Sequence, residues 1–145
     1  MPEQVIENDL SNTDLTRPLI KGLALCRTGE LTIDEKQSKK GEMLRYLNIP
    51  LQLEEAVTST EGKQIQPGFT ITDRILITPT GGLTQERVNE RLARFQIAAL
   101  ALSKPTQFGA VSQYSGKMIK VKFDTRPDKV DPSTLFQDIV AYSKA

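Results

Sequence analysis

From Phe69 to Leu102 the chain reads FTITDRILITPTGGLTQERVNERLARFQIAALAL, and the spacing of its apolar residues changes once. Phe69, Ile71, Ile75 and Ile77 share one parity, while Thr70, Thr72, Arg74 and Thr78 take the other. That two-residue period predicts a strand over 69–77 with one covered face. Asp73 interrupts the covered parity, which predicts a bend or bulge, or a salt bridge to Arg74 or another cation. Pro79-Thr-Gly-Gly82 ends the strand. Beyond it, Val88, Leu92, Phe95, Ala99 and Leu102 recur at steps of four and three, the stripe of an amphipathic helix. Thr84 is the expected N-cap, Glu86 favours the positive helix end, and Lys104-Pro105 stops the helix, so its span is predicted as 84–102.

The remaining pattern is mostly two-residue alternation. Leu23, Leu25 and Arg27 alternate with Ala24 and Cys26, and Leu31 and Ile33 resume after Gly29. This predicts two short strands or one long strand bent at Gly29. Asp34 to Gly41 (DEKQSKKG) reads as a charged turn. Leu47, Ile49, Leu51 and Leu53 give a strand over 47–53 within a region 42–57. Pro50 lacks an N–H and predicts that this strand lies at an edge or carries a bulge. Thr58 to Gly68 reads as a polar connection whose exposed residues clasp a ligand or face solvent. After the helix, Ile119, Val121 and Phe123 alternate with Met118, Lys120 and Lys122, a strand over 118–123. Asp124 to Pro132 reads as a loop. Leu135 to Tyr142 is a last strand or a short helix, burying either Leu135, Ile139 and Ala141 or Phe136, Val140 and Tyr142. Phe69, Phe95 and Phe123 fall in apolar stripes and are expected in the core.

About five strands with local connections and one helix between the third and fourth predict a mainly β, antiparallel fold. A single helix cannot cover both faces of a parallel sheet. The best match is an OB-fold-like small barrel, closed or partly open, with the helix plugging one end; the alternative is a β-sandwich with an inserted helix. Residues 1–18 are polar and aperiodic and form an expected N-terminal arm. Residues 19–145 form a single domain.

Charge changes this picture modestly. The whole chain has 19 basic and 18 acidic residues. The first 15 residues hold four acids (Glu3, Glu7, Asp9, Asp14) and no base, which leaves a body with net +5. Such a body suits a polyanion. No apolar run reaches membrane-span length and no secretion signal is seen, so a cytoplasmic protein is expected. Histidine is absent, which removes His-based nucleophile systems and the common zinc patterns. The lone Cys26 reads as a structural thiol. TPTGG lies between strand and helix, where a phosphate loop belongs, but lacks the spacing of GxxxxGK[ST] or GxGxxG. No enzymatic activity, cofactor or metal is expected.

The positive positions that remain are Lys36, Lys39, Lys40, Arg45, Lys117, Lys120, Lys122 and Arg126, with Arg27, and with Tyr46, Tyr114 and Tyr142 as aromatics that carry a polar rim. Lys120 and Lys122 share one strand face. Lysines beside a tyrosine on the outside of a small barrel supply charge for phosphates and a ring for bases. The competing reading is a solvated lysine face. Arg87, Arg91 and Arg94 alternate with Glu86 and Glu90 on the helix, which predicts charge pairing on a wet face.

Four stretches together, NDLSNTDLTRPLI (8–20), GKQIQPGFTITDRILITPTGG (62–82), ERVNERLARFQIAAL (86–100) and SGKMIKVKF (115–123), resemble a group of small phage and prophage proteins in their layout. Those proteins are single-stranded-DNA-binding-like, have an OB-type fold and accompany replication and recombination functions. The resemblance implies that the Met118–Phe123 strand closes the barrel and that the 34–41 and 58–68 loops flank a groove. It implies non-sequence-specific binding of single-stranded DNA in a phage-infected or prophage-carrying host. Homo-oligomers and replication or recombination proteins are the expected partners. The alternative function is a phage structural or assembly protein that binds other subunits in a virion.

Overall fold

The longest strand, Met43–Leu53 (β3), is the hub to which three others bond. The computed structural model describes residues 3–12 and 18–145. Before β3 come β1 (Gly22–Thr28) and β2 (Thr32–Gln37); after it come β4 (Val57–Thr58), β5 (Gln64–Ile65), β6 (Thr70–Leu76), the helix α1 (Gln85–Leu100), β7 (Met118–Pro127) and β8 (Leu135–Lys144). Six of these strands form one antiparallel sheet, and β4 and β5 make a separate small hairpin. The fold is therefore mainly β with one α-helix among the described residues, and the six strands belong to one sheet rather than two.

One edge of β3 pairs with β6 from Tyr46↔Leu76 to Gln52↔Thr70. Its other edge pairs first with β2, from Gln37↔Met43 to Thr32↔Asn48, and then with β1, from Thr28↔Leu51 to Cys26↔Leu53. β1 and β2 thus behave as one strand bent over residues 29–31. Gly29 is needed there for close approach: a Cβ on it would meet Pro50 Cβ at 3.0 Å. Pro50 does not mark an edge, because β3 is bonded on both sides. The Pro50 carbonyl accepts from the Gly29 N–H at 2.8 Å, so this side of the residue faces the changeover between β2 and β1, where no ladder bond needs its missing N–H. The charged turn is shorter than expected. Asp34 to Gln37 belong to β2, and the turn narrows to 38–42, closed by Ser38 N–H to Glu42 O at 2.7 Å.

The sheet continues from β1 to β7 and then to β8. The Met118–Phe123 segment is therefore interior, bonded on both edges, and does not close a barrel. β6 branches from β3 and β8 ends the path; these two strands are not paired with each other, so the sheet stays open between them. A bulge between Lys122 and Phe123 on the β7–β8 register leaves Val140 unopposed, and the strand changes parity across it. Ile139 and Tyr142 both pack on the core as a result, a combination that neither simple alternation provides.

The core lies between the two halves of the sheet and under α1: Leu47, Ile49, Leu51 and Ile75 from one half, Ala24, Cys26, Ile119, Val121 and Phe123 from the other, and Phe95 from the helix. β1 turns its small residues inward and leaves Leu23 exposed. Thr84 caps α1, accepting from Arg87 N–H at 3.2 Å. The helix ends with Ala101 in a left-handed conformation (φ 52°), its N–H bonded to Ile97 O. Phe95 and Phe123 are core residues as expected. Phe69 is not: it sits just before β6 and stays 37% exposed. The 58–68 connection also does more than face solvent, since its β4–β5 hairpin buries Ser59 and Ile65. Residues 3–10 are exposed and carry no regular structure, and Ser11 and Asn12 form a turn; the rest of the expected arm, 1–2 and 13–17, lies outside the described residues.

Candidate nucleic-acid interface

Strand register decides which of the basic and aromatic positions meet. On β3 the buried side alternates through Leu47, Ile49, Leu51 and Leu53, so Leu44, Tyr46, Asn48, Pro50 and Gln52 point away from the core. Their partners point the same way: Thr32, Asp34 and Lys36 on β2, and Thr70, Thr72, Arg74 and Leu76 on β6. Tyr46 is the centre of this face, flanked by Asp34 on one side and Leu76 on the other. Arg74 is its diagonal neighbour and lays its guanidinium carbon 4.0 Å from the Tyr46 ring centroid. Asn48 donates through Nδ2 to Asp34 Oδ2 at 2.7 Å and to Thr32 Oγ1 at 3.3 Å, which fixes the polar rim. Lys36 is exposed on the same face, and Lys39 and Lys40 stand exposed on the turn at its end. Arg45 has the opposite parity, lies beyond the core and pairs with Glu35 at 3.7 Å. The sequence pattern offered Arg74 only as an ion partner for Asp73, a place that Arg91 takes; its diagonal contact with Tyr46 depends on the β3–β6 register, which the sequence does not print.

Lys120 and Lys122 are exposed on a different half of the sheet. Their neighbours are Leu25 and Leu23 on β1 and Ser143 and Ala141 on β8, with no aromatic residue opposite either lysine. Lys117 lies just before β7 and follows Gly116, whose carbonyl accepts from Arg27 of the Arg27–Glu54 ion pair (2.6 Å). Arg126 lies near the far end of β7, with its guanidinium 5.4 Å from the Phe136 ring. The nine basic candidates therefore divide between the two halves of the sheet, and among the described residues only the β2–β3–β6 face joins a cation to a tyrosine ring.

No family model matches this chain, and no curated protein matches it.

The other two tyrosines are not available for stacking. Tyr114 is fully buried against Phe95 and Phe108, and its hydroxyl donates to Phe108 O at 2.5 Å. It belongs to a network around buried Gln96, whose amide donates to Gln107 O at 2.9 Å and whose carbonyl accepts from Thr106 N–H at 3.0 Å. Burial raises the Tyr114 pKa above the usual phenol value. Tyr142 packs edge-on against Phe95 and donates its hydroxyl to Asp73.

Asp73 is the interruption seen in the β6 pattern, and the structure resolves it as a salt bridge. Arg91 reaches from α1 to both carboxylate oxygens, at 2.9 and 3.2 Å. Asp73 is on β6, Tyr142 on β8 and Arg91 on the helix, so the three side chains bridge the two sheet ends that lack backbone pairing. Arg91 is half exposed, as a wet face predicts, but its partner is Asp73 on β6 rather than Glu86 or Glu90 of its own helix. Burial first, and then the Asp73 charge, push the Tyr142 pKa far up, so the hydroxyl is protonated and donates. Cys26 is buried, and its thiol is pushed up to about 12 by burial and then by Glu55 and Glu54, which makes it inert. Among the described residues no three metal-ligating side chains gather, and no helix is long and apolar enough to cross a membrane.

Proposed function

We propose that this protein binds single-stranded DNA without sequence specificity, in the replication or recombination of a phage or mobile element in a bacterial host. The observation that carries this reading is the Tyr46–Arg74 stack on the outer face of a hairpin whose tip holds Lys39 and Lys40, with Arg74 exposed and Tyr46 half-buried beneath it. Such a pair offers a flat surface for a base and a cation for the adjacent phosphate, and aromatic stacking tolerates any base. The connectivity supports an OB-type reading. The bent β1–β2 strand pairs with β3 and then β7, β6 follows β3, and the helix falls between β6 and β7. In that plan the exposed face around β3 is the usual nucleic-acid surface. Asp34 tempers the charge of the face, so moderate affinity with a steep salt dependence is expected.

The test is fluorescence anisotropy of a labelled oligonucleotide at two salt concentrations. Tyr46→Ala is expected to weaken binding by about 1–3 kcal/mol, and Arg74→Ala to lower the log–log salt slope by roughly 0.7. Lys120→Ala/Lys122→Ala is expected to retain binding. Loss of binding in that double variant, with Tyr46→Ala unaffected, moves the site to the β7 face. No binding by the wild type at micromolar concentration in low salt removes the DNA function. The assembly reading then stands on a separate observation: Val5, Ile6 and Leu10 are displayed to solvent.

A further inference from the structure

The exposed arm and an unused groove on the body have matching chemistry. Val5, Ile6 and Leu10 are 74%, 87% and 73% exposed, so the described part of the arm buries none of its large apolar side chains on its own body. The same segment carries Glu3, Glu7 and Asp9 and no basic residue. On the body, a groove of about 230 Å³ runs between α1 and β8, lined by Arg87, Glu90, Arg91 and Arg94 from the helix and by Ile139 to Tyr142 from the strand. Arg87, Arg91 and Arg94 follow one another at helical steps of four and three and form one row. Arg91 is spent on Asp73, but Arg87 and Arg94 have no ion-pair partner among the described residues. The β8 bulge displays Val140, half exposed, on the floor of this groove. β8 is also an end strand of the sheet, with no strand among the described residues bonded to its outer edge.

We infer that the acidic arm of one copy, residues 3–12, docks in the α1–β8 groove of a second copy. Its carboxylates meet Arg87 and Arg94, and its apolar side chains cover Val140. The occupant is a second copy because the arm carries the complementary charge and stands clear of its own groove. An extended arm beside a free strand edge also has backbone groups to offer it. The contact joins two different surfaces, so it either swaps reciprocally into a dimer or runs head to tail. It uses neither Tyr46 nor Arg74, so it stands or falls independently of DNA binding.

The experiment is sedimentation velocity of the full chain without DNA, over a concentration series at low and high salt. Wild type is expected to self-associate at low salt and to dissociate as salt rises. Arg87→Glu/Arg94→Glu is expected to weaken association about tenfold or more, and so is Glu3→Lys/Glu7→Lys/Asp9→Lys. Combining both sets restores the opposite charges and is expected to restore association. Circular dichroism melting confirms that each variant is folded, and Arg91 is left untouched so that Asp73 keeps its partner. A wild type that stays monomeric throughout overturns the inference. So does a groove reversal that associates as wild type does, or a combined variant that fails to regain association although it melts normally. An equimolar mixture of the groove and arm variants adds a second reading: each brings one intact half, so a mixed dimer is expected and its absence also counts against the contact.

Discussion

Replacing Arg91 by alanine tests whether side chains hold the open seam between β6 and β8. Asp73 is almost fully buried, its side chain 7% exposed, whereas that of Arg91 is 46% exposed. Removing the partner of a fully buried charge costs about 3–5 kcal/mol. Solvent reaches the Arg91 side of this pair and screens it, and Tyr142 still donates to the carboxylate, so about 2 kcal/mol is expected for Arg91→Ala. Tyr142→Phe deletes a hydrogen bond to a charged acceptor and should cost about 1.5–3 kcal/mol. The two residues share one carboxylate, so the double variant should depart from additivity by at least about 0.5 kcal/mol. Arg94→Ala, on the same helix row without an ion pair, is the comparison and should stay within about 0.5 kcal/mol of wild type. The assay is urea unfolding followed by circular dichroism, with the midpoint moving and the slope held constant. An Arg91→Ala variant as stable as Arg94→Ala would refute the reasoning: the seam would then be held without Arg91, by α1 packing and the Tyr142–Asp73 hydrogen bond.

Other consequences are simpler to state. Phe95→Ala should cost about 3–5 kcal/mol, because its ring is fully buried between Tyr114 and Tyr142; a loss below roughly 1 kcal/mol in the same urea assay would contradict that placement. Gly29→Ala should cost about 1–3 kcal/mol through the clash with the Pro50 ring, and an unchanged urea midpoint would mean that the bend absorbs a methyl group freely. Stability should fall at alkaline pH. Cys26 and Tyr142 both keep their protons in the folded state above the pH at which the unfolded chain releases them, so the stabilisation is complete below about pH 9 and is lost progressively above it. Urea midpoints at pH 8 and pH 10.5 check the sign, and Cys26→Ala should flatten the first part of the fall.

What the sequence determined by itself was local. The change of period at Gly81-Gly82, the Thr84 cap and the alternations at 47–53, 69–77 and 118–123 are short-range patterns, and each marks an element because periodicity and caps act within a turn or a pleat. Phe95 and Phe123 were legible as core for the same reason. Even Asp73 announced itself, as a polar residue on a covered parity. Tertiary structure decided whatever depended on which strand lies next to which. The pairing of β3 with both β1 and β2 put Pro50 in a central strand. The β7–β8 bulge turned both Ile139 and Tyr142 inward, and helix packing drew Arg91 onto Asp73 on β6 rather than onto a glutamate of its own helix. The candidate site followed the same rule. Lys36, Lys39, Lys40 and Tyr46 could be named from the chain. That Arg74 lies over Tyr46, that Lys120 and Lys122 belong to another half of the sheet, that Tyr114 is buried and that Tyr142 packs on Phe95 and Asp73 all follow from strand register and long-range packing. A residue's parity can be read along the chain, but its cross-strand neighbour is set by pairing between segments tens of residues apart.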